Sequence, residues 1–218
     1  LVVENARVNA FGQDDFELLT AVASQSGLAI GRVRLLRETQ QRVAELLAVN
    51  RVSQIVISQL DLKATCEIVS QTLRDIFSVE VVYFATYDTT SKMIQPLVFL
   101  VKDQRLDLGL DAFPLGVGLS SIIIKTRQPL LINQNYQQIA AGLGARQVAT
   151  EIPKSWLGMP ILFGDEVIGL VTVQSLEQEN RFSNADVRLL TTIAANLGAA
   201  IQNARLYDEA QKELAGRR

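Results

Sequence analysis

Side chains that move protons or hold transition metals near neutral pH are scarce in this chain. It has no histidine and one cysteine, Cys66. Without histidine there is no Ser/His/Asp relay and no proximal histidine for a haem. One cysteine with no histidine cannot build a zinc site. A lone thiol also lacks the partner that an attack-and-resolve redox cycle needs. It excludes an internal disulfide and suits a reducing, cytoplasmic compartment. Asp14-Asp15 and Asp165-Glu166 are paired carboxylates, but they fall at a helix start and a hairpin turn, where acids serve structure. Gly116-Val117-Gly118 lacks the third glycine and the strong preceding strand of a phosphate-binding loop. Cys66 falls on an apolar helical stripe and reads as a buried small hydrophobe.

Composition narrows the classes further. The net charge is −2 and the pI near 5.3, with no conspicuously basic face, so nucleic acid is not expected as a partner. The apolar runs fall far short of the ~20 residues of a membrane span. The chain opens at Leu1 in mid-pattern and reads as a piece of a longer protein.

The elements that position any site are organised around a repeat. Residues 11–40 match residues 182–211 at an offset of 171, without a gap, at thirteen of thirty positions. The matches include the polar pairs Asp15/Asp186, Thr20/Thr191 and Arg34/Arg205, beside Phe11/Phe182, Gly27/Gly198 and Ile30/Ile201. Such self-similarity points to a duplicated unit. Both copies read as helices. Leu190, Ile193, Leu197, Ile201 and Ala204 make one apolar stripe, with Leu19, Val22, Ser26, Ile30 and Val33 its counterpart. Ser183 followed by Asp186 resembles a capping box. Residues 1–4 correspond to the end of a strand, which cannot stand alone.

From residue 13 to 60 there is no proline, and the stripe continues through Leu46, Val49, Val52, Val56 and Leu60. This predicts one long helix, or two joined by a bend, with more apolar surface than one small domain can bury. The expectation is a seam with a second chain. Asp61 reads as the N-cap of a further helix ending near Phe77. Residues 79–88 and 93–101 then form a hairpin, with Pro96 at an edge or bulge. All five prolines lie between Pro96 and Pro160. A short strand is expected near residues 111–114, a helix at 119–125 and a strand at 129–133. Residues 134–154, rich in Gln, Ala and Gly, have weak helix character and read as a mobile cover. A second hairpin joins 156–163 to 167–174. Strands apolar on both faces require cover on both.

These segments together resemble a GAF domain. The resemblance is carried by residues 155–161 (SWLGMPI), Gly164-Asp165-Glu166-Val167-Ile168-Gly169, Asn180-Arg181-Phe182 with Asp186, 114–119 (PLGVGL) and 129–132 (PLLI). It covers residues 43–218, while residues 1–42 resemble the tail of a preceding GAF domain with its linker helix. The resemblance implies an α+β fold: an antiparallel sheet of five or six strands, with N- and C-terminal helices on one face and a ligand-pocket layer on the other. It implies a sensor and regulatory domain of a multidomain signal-transduction protein, such as a histidine kinase, cyclic-nucleotide enzyme or transcription regulator. The fragment itself is expected to be no enzyme.

The family's chemistries are limited by what is missing. Bilin photoreceptors resemble one another in a pocket cysteine, whereas Cys66 is expected on the opposite face of the sheet. Haem, bilin and metal are therefore not expected, and an unidentified small-molecule effector is. Trp156, opening a central strand, and Asn133 and Tyr136, at the pocket mouth, are the candidate ligand contacts, with core filling the other reading of Trp156 and loop capping that of Asn133 and Tyr136. The dimer seam is assigned to Leu46, Val49, Val52, Val56 and Leu60, giving a homodimer that relays ligand state through long helices. Two alternatives stay open. One is a ligand-free relay with a vestigial, self-filled pocket. The weaker is a cyclic-nucleotide site, for which Phe182 and Asp186 fit but Val187 and Gln174-Ser175 do not.

Overall fold

The computed structural model describes residues 2–4, 6, 10–58, 62–102, 104–105, 111–116, 118–145 and 151–216; the side chains of 41, 44, 51–58, 62, 104–105, 200 and 203–216 lie outside the description. The chain divides into two units, Leu1–Leu47 and Ala48–Arg218.

The first unit is helical from Gln13, where α1 (Gln13–Ser58) begins. The Gly12 N–H donates to Asp15 Oδ2 at 2.9 Å, so the acid satisfies a donor that the first turn leaves unpaired. Thr20 Oγ1 donates back to the Phe16 carbonyl at 2.8 Å, and Arg34 pairs with Glu38 one turn on at 3.1 Å. Residues 2–4 join no strand among the described residues.

The second unit holds a sheet. Helix α2 (Leu62–Phe77) precedes β1 (Val81–Asp88) and β2 (Met93–Val101). Two short strands, β3 (Gln104–Arg105) and β4 (Phe113–Pro114), come before α3 (Gly118–Thr126), β5 (Leu130–Ile132) and α4 (Tyr136–Gly142). The long hairpin β6 (Ser155–Phe163) and β7 (Glu166–Ser175) then leads to α5 (Asn184–Gly216). The order across the sheet is β3-β2-β1-β7-β6-β5, with β4 also on β2, and every pair is antiparallel. The expected α+β architecture holds; among the described residues the sheet counts seven strands, two of them only two residues long.

Local chemistry sets the boundaries. Strand β1 starts two residues later than its hydrophobic run, because residues 78–80 close α2. Ser78 takes φ 46°, and the Val79 N–H reaches back to the Arg74 carbonyl at 3.1 Å. Pro96 lies at a register shift opposite Phe84/Ala85, on the outer stretch of β2 between its pairings with β3 and β4, where its missing N–H leaves no ladder bond unmade. Ser183 and Asp186 form the expected reciprocal cap: the Ser183 N–H donates to Asp186 Oδ2 at 2.8 Å and the Asp186 N–H to Ser183 Oγ at 3.3 Å. The expected cap Asp61 lies outside the described residues.

Alternation sorts the strands onto two cores. On one face Val82, Phe84, Leu157, Met159, Val171 and Val173 meet Cys66, Val69, Leu73 and Phe77 of α2 and Leu190, Ile193, Leu197 and Ile201 of α5. On the other Tyr83, Tyr87, Ile94, Trp156 and Leu170 meet Leu119, Ile123 and Ile124 of α3, with Ala140 of α4. Cys66 is buried in the first of these, as expected.

Candidate functional site

The second face carries the polar groups. In β7 the residues that alternate with Val171 and Val173 are Leu170, Thr172 and Gln174. Thr172 sits directly across from Tyr83 of β1, and Gln174 across from Trp156 of β6. All three polar side chains are buried, and Gln174 Nε2 donates to Thr172 Oγ1 at 3.1 Å. The Tyr83 ring meets Phe99 edge-on at 5.8 Å. Burial pushes the Tyr83 and Tyr136 hydroxyls above the ordinary tyrosine range, so both remain protonated donors well into alkaline pH. Besides tyrosine and tryptophan, the buried polar side chains among the described residues are Ser, Thr and Gln, without a formal charge.

Trp156 belongs to the same layer. Its indole lies over Gly158, where a Cβ would come within 2.3 Å of the ring and 2.4 Å of Ile123. Gly158 is thus the notch that admits the indole between β6 and α3. Tyr136 opens α4 and packs half-buried against this layer. These two expected contacts share one core.

Asn133 has a different position. Its Nδ2 donates to the Phe182 carbonyl at 2.7 Å, and its Oδ1 accepts the Phe182 N–H at 3.2 Å. The whole amide is engaged by the backbone that leads into α5. The neighbouring Ser155 hydroxyl, fully buried, lies 2.8 Å from the Gln178 carbonyl and accepts the Arg181 N–H at 3.2 Å. The Arg181 guanidinium donates to the Phe77 carbonyl at the end of α2. A polar junction therefore ties β5, β6, α2 and the start of α5 together beside the layer holding Tyr136.

Phe182 fills the helix-side core, and the Asp186 carboxylate caps α5. In the long helix, Leu46 is 69 % exposed, whereas Val49 packs on the helix-side core of its own unit. The side chains of Val52 and Val56, and Leu60 altogether, lie outside the described residues. Sequence reasoning missed the Tyr83–Thr172–Gln174 row. Its trace was the polar phase of β7, Thr172 and Gln174 alternating with valines.

An antiparallel sheet with flanking helices on one face and a buried polar row under short covering elements on the other defines the class of α+β domain. The GAF domain family matches residues 59–202, and the chain belongs to that family. Solved structures agree on the fold. The GAF domain of an Acinetobacter phosphoenolpyruvate-protein phosphotransferase superposes with TM-score 0.64 at 21% identity, over 74% of this chain and 94% of that one. Residues 122 to 287 of a methyl-accepting chemotaxis protein give TM-score 0.61 at 18%, covering 72% and 98%. The free methionine-R-sulfoxide reductase of Neisseria meningitidis, in complex with its substrate, gives 0.61 at 18%, covering 73% and 89%. No helix among the described residues is long and apolar enough to cross a membrane.

Proposed function

We propose that this chain is a sensor and regulatory domain of a multidomain signalling protein, that it binds a small uncharged effector on the α3/α4 side of its sheet, and that it passes the bound state to its long helices. The observation that carries this is the row Tyr83, Thr172 and Gln174, buried among aromatic rings. Polar groups in such a place are held by hydrogen bonds, as between Gln174 and Thr172, and ligand sites combine apolar walls with a few convergent polar groups of this sort. The uncharged row favours a neutral, hydrogen-bonding planar molecule over a cyclic nucleotide, whose phosphate calls for cations or a helix N-terminus. The Asn133 clamp on Phe182 supplies the route by which a shift of α4 reaches α5. Neighbours from a chemotaxis protein and a phosphotransferase support the signalling context.

The domain is read as no enzyme. One neighbour is a reductase, but the one thiol here is buried across the sheet from the polar row. No haem or bilin is assigned to it, and the cytoplasm is its compartment. The relay is read as a homodimer along α1 and α5. Val52→Asp with Val56→Asp then yields monomers in sedimentation with the sheet unit still folded; an unchanged dimer would remove the seam.

Native mass spectrometry of the full-length protein tests the effector. The reading expects a small molecule that is released on denaturation and lost in Thr172→Val/Gln174→Leu. A second reading, a pocket filled by its own side chains, has Trp156 in its favour, since the indole already occupies the notch over Gly158. It expects the bare protein mass and equal relay function in that double variant.

A further inference from the structure

The two copies of the repeat make the same local bonds but have opposite surroundings. In α5 the Ser183 N–H donates to Asp186 Oδ2, and Thr191 Oγ1 donates to the Val187 carbonyl at 2.7 Å. In α1 the equivalent Gly12 N–H donates to Asp15 Oδ2 and Thr20 Oγ1 to the Phe16 carbonyl. The repeated polar residues therefore build one helix start twice.

Their apolar faces part ways. Gly198 of α5 lies so close to β6 that a Cβ there would stand 1.9 Å from the Leu162 carbonyl oxygen. Glycine is the one residue that permits this approach. The contact falls at the register shift of β6 between Ile161 and Leu162. Gly27, its counterpart, has nothing within 4 Å. Glycine inside an exposed helix weakens it relative to alanine and gives nothing back. Around it Phe11, Val22 and Ile30 are exposed at 48, 43 and 69 %, where Phe182, Ile193 and Ile201 are buried.

We propose that residues 11–30 are the terminal helix of a second domain of this same construction, and that the Gly27 face docks on the backbone of that domain's β6-like strand, supplied by chain preceding residue 1. The occupant is specified by the template: a strand carbonyl against Gly27, as Leu162 stands against Gly198. A second copy of the described unit offers no such strand, because the helix-side face of its sheet is already covered by α2 and α5. Val2, the counterpart of the buried core residue Val173, is 83 % exposed and in that domain would close the neighbouring strand. This inference does not depend on the effector reading.

The test uses the full-length natural protein, with Gly27→Ala and Gly31→Ala read by calorimetry and by hydrogen exchange at residues 11–40. Gly31 is the control, since Gln202 stands at its place in the second copy and is half-buried with room for its side chain. On an open helix both substitutions stabilise. Against a strand carbonyl, Gly27→Ala reverses sign. The proposal expects Gly27→Ala to lower the midpoint of the unit holding residues 11–40 by roughly 2–4 °C or more and to quicken its exchange, at every protein concentration, with Gly31→Ala neutral or stabilising. Upward shifts for both, or no folded unit ahead of residue 1, overturn it. So does a Gly27→Ala effect that fades on dilution, which assigns the face to another molecule.

Discussion

The helix side of the sheet is filled with Val82, Phe84, Leu157, Val171 and Val173 under α2 and α5, while the opposite side holds Tyr83, Thr172 and Gln174 under α3 and α4. Strand β7 serves both sides, valines one way and polar groups the other. An apolar face asks only that volume be filled. Polar groups on a buried face lower stability unless paired, and here Gln174 donates to Thr172. One sheet thus carries an apolar core on one face and a polar row on the other, with the Asn133–Phe182 clamp at its edge.

The largest expected effect comes from truncating the helix-side core. Phe84→Ala is expected to cost about 3–5 kcal/mol, read as the midpoint of chemical unfolding. A cost below about 1 kcal/mol would show that this face is not the tightly packed one. Asn133→Ala comes next. It leaves the Phe182 N–H and carbonyl without their partner, at about 2 kcal/mol, and it should uncouple α4 from α5 in hydrogen exchange. Asn133→Asp, which keeps only the acceptor, should recover part of the loss.

The fold was legible because it rests on period and punctuation. The stripe Leu190, Ile193, Leu197 and Ile201, the Ser183/Asp186 cap and the two hairpins each depend on residues close in sequence. The site was less legible because it depends on register. That Thr172 faces Tyr83 and Gln174 faces Trp156 is set by ladder pairing between distant segments. Asn133 read equally as a ligand contact and as a loop cap, and its place beside Phe182 follows from β5 pairing with the start of β6. The two-residue strands β3 and β4 are too short for any periodicity to reveal.

A third expectation concerns pH. Burial raises the Tyr83 hydroxyl above its ordinary value of 10. The folded protein therefore keeps a proton that the unfolded chain releases. Stability is fully present below pH 10 and declines as pH rises beyond it, by about 1.4 kcal/mol per unit for this group. Tyr83→Phe should flatten that decline in alkaline unfolding curves, and an unchanged slope would mean the hydroxyl is solvated. The smallest effect on stability belongs to Thr172→Val, at about 1 kcal/mol or less. The same substitution should abolish effector retention, which is the sharpest contrast between the two faces.

The most direct test of the central assignment is a crystallographic fragment screen on the second unit, using neutral planar fragments. They are expected to collect on the α3/α4 side, hydrogen-bonded to Tyr83, Thr172 or Gln174, and to vanish in Thr172→Val/Gln174→Leu crystals. Fragments that gather elsewhere while this face stays packed in every crystal would contradict it.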